Sequence, residues 1–167
     1  VGLFPRMMDY FTADGRRPTL QSCQQEAADS HVVIAIVAHR YGWIPDDQPP
    51  DEPRSITWLE CERALATGKE LLAFVLDGKN AAWPAESREE HAIAKAVTEG
   101  RATPELLADV QQNVARLGQF KEWLGRQVRP LLFSSKEDFQ RQVSEALNDW
   151  RHRHPQLFTA TGVEPGQ

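Results

Sequence analysis

Cysteine is scarce: a chain of 167 residues carries two, Cys23 and Cys61. That is too few for a disulfide scaffold and not a metal-ligand spacing, so a reducing, cytoplasmic compartment is expected. Cys23 is expected to pack as a small hydrophobe on a helix, with a reactive thiol as the sharper alternative. No apolar run approaches the roughly 20 residues that cross a bilayer, and no signal peptide is read, so no membrane partner is expected. A basic excess is lacking as well. Nineteen Lys and Arg stand against 24 Asp and Glu, a net charge of -5, and this argues against a nucleic-acid surface. No glycine-rich phosphate loop occurs, so the usual ATP and NAD fingerprints are absent. His31, His91, His152 and His154 have no partner spacing for a metal; no metal and no resident cofactor are expected. No internal repeat stands out.

What remains is ordinary globular material, 41% hydrophobic and 26% charged, of a length that suits one domain able to bury a core. The domain is expected over residues 1–151, with 152–167 as a flexible tail or linker. The start at Val1 is expected of a trimmed or excised piece.

Val1–Met8 reads as a strand that Pro5 confines to an edge or an end, followed by a polar stretch with a turn at Asp14-Gly15. Thr19 has the chemistry of an N-cap for a helix running to about Ser30. Val32–Ala38 (VVIAIVA) is a β-branched apolar run, the pattern of a central parallel strand buried on both faces. Residues 39–54 (HRYGWIPDDQPPDEPR) are too rich in proline and aspartate for a helix. They leave the carboxyl end of that strand, where open α/β sheets bind ligands.

A helix over Trp58–Thr67 is expected to stop at Gly68, and Leu71–Leu76 gives a second apolar strand. Residues 84–100 predict an exposed helix. Thr103-Pro104-Glu105 opens another, with Leu106, Leu107, Val110, Val114 and Leu117 as its buried stripe. Leu131–Phe133 is a short last strand, and Ser134-Ser135 caps a final helix buried through Phe139, Val143, Ala146, Leu147 and Trp150. The alternation β-α-β-α-β-α-β-α predicts a three-layer α/β fold: a parallel sheet, right-handed crossovers and helices on both faces.

The chemistry centres on Ser55-Ile56-Thr57-Trp58-Leu59-Glu60. Thr57 and Glu60 have the spacing of a capping box, an N-cap hydroxyl with a glutamate at the third helical position. Alternatively, the Glu60 carboxylate projects into the crevice left by the long loop. There it could bind ribose hydroxyls or stabilise the positive charge that develops as a glycosidic bond breaks. Glu62, two positions on, faces another side of the helix and reads as a solvated carboxylate. Trp58 is open between a pocket wall and a core residue. In Arg40-Tyr41-Gly42-Trp43, Gly42 allows a tight turn. Arg40 could hold a phosphate or carboxylate bidentately, or pair with Asp29 or a loop aspartate. Asp29 reads as a helix-end residue and His39 as a loop residue.

Several of these pieces together resemble a known family: Met8-x-x-Phe11, Cys23, Asp29-x-x-Val32, Arg40-Tyr41-Gly42, Ser55-Ile56-Thr57-x-x-Glu60, Gly68-Lys69 and Phe133-Ser134-Ser135. The pattern looks like a TIR-like domain of formerly unknown function, commonly found at the N-terminus of large STAND-type NTPases. The resemblance implies a flavodoxin-like (TIR-like) fold and a signalling or effector role. It implies a nucleotide, NAD or a nucleoside, as ligand or substrate, and a homo-oligomer or an intramolecular signalling domain as partner. Thr57, Glu60, Ala64 and Gly68-Lys69 are also similar to nucleoside 2-deoxyribosyltransferases, where the glutamate at the Glu60 position is the nucleophile. Trp58-x-x-x-Glu62 is similar to TIR domains that cleave NAD. Glu60 is the better match, because Thr57, Ala64 and Gly68-Lys69 agree with it. The implied site is Glu60 as catalytic residue, with Arg40, Tyr41, Gly42, Trp43, Ser55, Thr57 and Trp58 binding substrate. Members of that family begin with a further strand and helix carrying a Ser-Ser-Thr-Phe-like loop, which this sequence does not match. In the strand order 2-1-3-4-5 that further strand would be the central one.

Overall fold

The computed structural model describes residues 3–4, 19–48, 53–79 and 84–158. The strand expected over residues 1–8 lies outside these, apart from Leu3 and Phe4, which are exposed and have no regular structure. The elements are α1 (Leu20–Asp29), β1 (Val32–Val37), α2 (Ile56–Ala66), β2 (Glu70–Leu76), α3 (His91–Thr98), α4 (Pro104–Gln127), β3 (Leu131–Phe133) and α5 (Lys136–Arg153). Two single 3-10 turns, Ala85–Ser87 and Pro155–Leu157, complete the order.

Local chemistry accounts for most of the boundaries. Thr19 caps α1 by accepting from the Ser22 N–H at 3.1 Å, and Thr103 caps α4 with Pro104 at its first position. Ser135 caps α5 through the Asp138 N–H. At the end of α2, Gly68 takes φ +68°, the left-handed region where a side chain is strained. The Gly68 N–H then donates to Leu65 O (3.1 Å) and the Lys69 N–H to Ala64 O (2.8 Å), which closes the helix as a Schellman motif.

The strands form one parallel sheet in the order β1-β2-β3 among the described residues. Ala35 lies beside Ala73, and Phe74 beside Leu131. Alternate residues serve opposite faces. Ala35, Val37, Leu71, Ala73 and Val75 pack against Trp58 and Cys61 of α2 and Leu117, Phe120 and Leu124 of α4. Phe74, Leu76 and Phe133 pack against Phe139, Val143 and Ala146 of α5 on the other face. The α/β arrangement, with helices on both sides of a parallel sheet, is that of a flavodoxin-like fold. α1 lies alongside α2.

The structure departs from the sequence reading in four places. Among the described residues β1 lies at the edge of the sheet, and Ile34 and Ile36 are 37% and 52% exposed rather than buried, because no described helix covers them. The stripe of α4 is Val110, Leu117, Phe120 and Leu124. Leu107 and Val114 are exposed, since α4 meets the sheet core only in its second half. Residues 84–100 divide into a 3-10 turn and the short α3 rather than one helix. Beyond residue 151, α5 runs on to Arg153, and the Phe158 ring stands edge-on to Trp150 at 5.8 Å, so residues 152–158 are folded back rather than frayed. No helix among the described residues is long and apolar enough to cross a membrane.

Candidate functional site

Residues 38–48 leave β1 at the carboxyl end of the sheet, and residues 53–55 lead into α2. Side chains supply much of the order in these described residues. The Gln48 amide donates to Pro45 O and Arg54 O, both at 2.9 Å, and accepts from the Arg54 N–H at 2.8 Å. Gly42 turns the chain at φ +92°. The Ile56 N–H donates to Trp43 O at 2.9 Å, which joins the Tyr-Gly-Trp turn to the start of α2.

The residues nominated by sequence fall into three groups. Tyr41, Ser55 and Trp58 face inward, at 2%, 0% and 8% exposure. The Trp58 ring stacks on Phe120 at 5.1 Å and lies against Trp123 at 5.7 Å, with Tyr41 edge-on at 6.4 Å. Between wall and core, the structure chooses core. The Tyr41 hydroxyl donates to Pro53 O at 3.4 Å. Its pKa is raised above the ordinary phenol value, chiefly by burial and in part offset by hydrogen bonding at Ser55 and the nearby Arg116 and Arg54.

Arg40 forms the second group. It is exposed and donates from Nε to Ser87 O (3.3 Å) and from Nη2 to Glu86 O (3.1 Å). The Tyr41 N–H beside it donates to the Glu89 carboxylate at 2.7 Å. Residues 86–89 are thereby latched onto the carboxyl end of β1. Arg40 makes no salt bridge to Asp29 or to a loop aspartate among the described residues; Asp29 instead accepts from the Gln25 amide within α1.

The third group is the pair of glutamates. The N-cap of α2 is Ser55, without a side-chain cap bond, so Thr57 is the second helical position and Glu60 the fifth. The capping-box reading of Thr57 and Glu60 therefore fails: a glutamate reaches back to the cap from the third position. Glu60 is half-buried, with Oε1 closed to solvent. Its charge is felt by Cys23, whose thiol is pushed up to about 11, first by burial and second by Glu60. Glu62 is held by an ion pair with Arg54, whose guanidinium also lies over the Trp58 ring at 5.2 Å. Glu62 is thus a part-buried, ion-paired carboxylate rather than the solvated one expected.

Sequence reasoning missed Arg54 as the partner of Glu62 and Glu89 as the clasp on Tyr41. Neither had a local signal, since Glu89 lies far along the chain from Tyr41. The hollow of about 120 Å³ between β2, β3 and α5, lined by residues such as Leu72, Leu131 and Ala146, holds none of the nominated residues. No group of three His, Cys, Asp or Glu among the described residues could hold a metal.

A family model described as Domain of unknown function (DUF4062) matches residues 1–148, most of the chain. The chain belongs to this family. No curated protein and no solved structure matches it. In this DUF4062 domain the match runs through residues 38–55, the whole of α2 and α5 as far as residue 148.

The thiols of the DUF4062 domain are predicted to be inert. Cys61 is fully buried and its thiol is pushed up to about 12, mainly by desolvation and then by Glu60 and Glu62. A thiolate is the reactive form, so native protein at pH 8 should take up no iodoacetamide by mass spectrometry, while denatured protein should take up two equivalents, one at each cysteine. Rapid native labelling of Cys23 would restore the reactive-thiol alternative.

Proposed function

We propose that this DUF4062 domain is a TIR-like signalling or effector domain of the cytoplasm. In this reading it takes a nucleotide, NAD or a nucleoside, at the rim where loop 38–55 leaves the sheet, and cleaves its N-glycosidic bond. One observation carries the reading. Glu60, the better match to a glycosyl-transferring glutamate, sits half-buried one turn into α2 at the carboxyl end of the sheet, outside the helix cap. Glu62, its competitor, is held in an ion pair. A carboxylate at Glu60 would stabilise the oxocarbenium-like charge on the ribose as the base departs. Because Glu60 Oε1 is closed to solvent, the reading requires the packing around Glu60 to open for the sugar. The test is incubation of the full-length protein with NAD and with a panel of nucleosides, with chromatography of the released base.

A second reading rests on a different observation, the exposed Ile34 and Ile36 of β1, a strand whose outer edge has no partner among the described residues. Such an edge invites pairing. It would suit a non-enzymatic self-association module attached to a STAND-type NTPase. On this reading sedimentation velocity shows concentration-dependent association that Ile36→Glu abolishes. A monomer at every concentration, with base released from NAD, leaves the enzyme reading alone.

A further inference from the structure

The sheet has a notch beside the amino half of β2. β3 begins opposite Phe74, so among the described residues no strand lies next to residues 70–73 on that side. Further along, the Asp77 N–H donates towards β3, to Phe133 O at 2.8 Å, and alternate residues of a strand point the same way. Leu71 and Ala73 therefore turn their backbone groups into the notch. Nothing among the described residues meets the Leu71 N–H, the Leu71 C=O or the Ala73 N–H. Backbone groups at a sheet edge cost free energy unless water or another chain completes them.

Two contiguous hollows open to solvent here. The smaller, about 120 Å³, is bounded by Leu71, Ala73, Val128 and Arg129, and the larger, about 330 Å³, by Glu145, Asp149 and Arg153 of α5. Leu72, Leu131 and Ala146 line both and give them one apolar floor. The charges around that floor are divided. On the α5 side Arg153 is taken by Glu70 at 2.5 Å and Glu145 by Arg141 at 2.8 Å. Asp149 acts on Arg153 only at a distance, and it makes no ion pair or hydrogen bond among the described residues. On the β3 side Arg129 is exposed and has no carboxylate partner among them. The notch thus offers an unpaired strand edge, an apolar floor, a negative charge at one end and a positive charge at the other.

We propose that this notch binds the C-terminal end of a partner protein in extended form, with a basic residue two places before an apolar last residue. The bound segment runs parallel to β2, in line with β3. Its last residue donates its N–H to Leu71 O and gives its carboxylate to the Ala73 N–H and Arg129. The basic residue's carbonyl accepts from the Leu71 N–H. Side chains two apart share a face, so the apolar one rests on Leu72, Leu131 and Ala146 while the basic one meets Asp149. β3 occupies the same line immediately beyond, which is why the ligand is a chain end and not an internal strand. The binding mode joins strand addition to the capture of a terminal carboxylate. It depends neither on Glu60 nor on any cleavage.

Amide NMR on the full chain tests it with the peptide acetyl-Ser-Lys-Thr-Val, which carries a free C-terminal carboxylate. Three altered peptides serve as controls: the C-terminal amide, glutamate in place of lysine, and an N-methylated valine. The free-acid lysine peptide should move the Leu71 and Ala73 amide signals saturably. Each control should bind at least about tenfold more weakly, the loss of one charged or backbone contact. Asp149→Asn should bind the lysine and glutamate peptides nearly alike, and Arg129→Gln the acid and the amide; both positions are exposed. The proposal is overturned if the peptide leaves both amides unmoved, if the amide or the N-methylated peptide binds as well, or if both variants, melting as wild type, keep full discrimination. Peptide binding without base release from NAD would uphold this site and remove the glycosidase reading, and base release without peptide binding would do the reverse.

Discussion

Trp58→Ala should cost the domain about 3–5 kcal/mol of stability, the usual toll of emptying a large aromatic site. Trp58 is the hub at which α2 meets α4. Its ring stacks on Phe120, leans on Trp123, receives the edge of Tyr41 and carries the Arg54 guanidinium on its outer face. Phe120 is 1% exposed and Tyr41 2%, so neither can relax far into the vacancy. Trp58→Phe should be much milder. It keeps the stacked ring, and it removes an indole N–H that is buried without a partner, so part of the lost packing is offset by a relieved desolvation cost. Denaturant unfolding followed by circular dichroism gives both values. An alanine variant that unfolds at the wild-type midpoint while nucleotide affinity falls would make Trp58 a pocket wall after all.

Glu60→Gln should lower the rate of base release by about 10²-fold or more, the scale seen when a group aimed at transition-state charge is neutralised. Glu62→Gln should leave turnover near the wild-type rate, because Glu62 is engaged with Arg54. The comparison is clean on structural grounds. Gln is isosteric with Glu, so the substitution removes the charge and leaves the side-chain volume unchanged; denaturant unfolding of both variants reads any loss of fold separately from the loss of turnover. The thiols report the exchange independently. Glu60 raises the pKa of both Cys23 and Cys61, so both should titrate lower in the variant. Equal losses in the two variants would point to helix damage rather than chemistry.

Elements written in local chemistry were legible in the sequence. Thr19, Thr103-Pro104 and Ser135 cap their helices as their side chains dictate, and Gly68 ends α2 through its left-handed backbone. The apolar runs at 32–37 and 71–76 are strands of one parallel sheet. The start of α2 was misread because Ser55 and Thr57 are both competent caps. What decides between them is a long-range bond, the Ile56 N–H to Trp43 O, which no window of sequence contains. The stripe of α4 shifted for a similar reason, since propensity sets a helical period but the partner surface chooses which part is buried. The site was the least legible. Arg40 reads as a phosphate ligand from its own neighbours, yet its guanidinium goes to carbonyls 46 and 47 residues away.

The most direct measurement is the release of free nicotinamide from NAD, or of free base from a nucleoside, by purified full-length protein. The account predicts release that scales with enzyme concentration and collapses in Glu60→Gln. Release that Glu60→Gln leaves undiminished, or no release from any nucleotide offered, would contradict it.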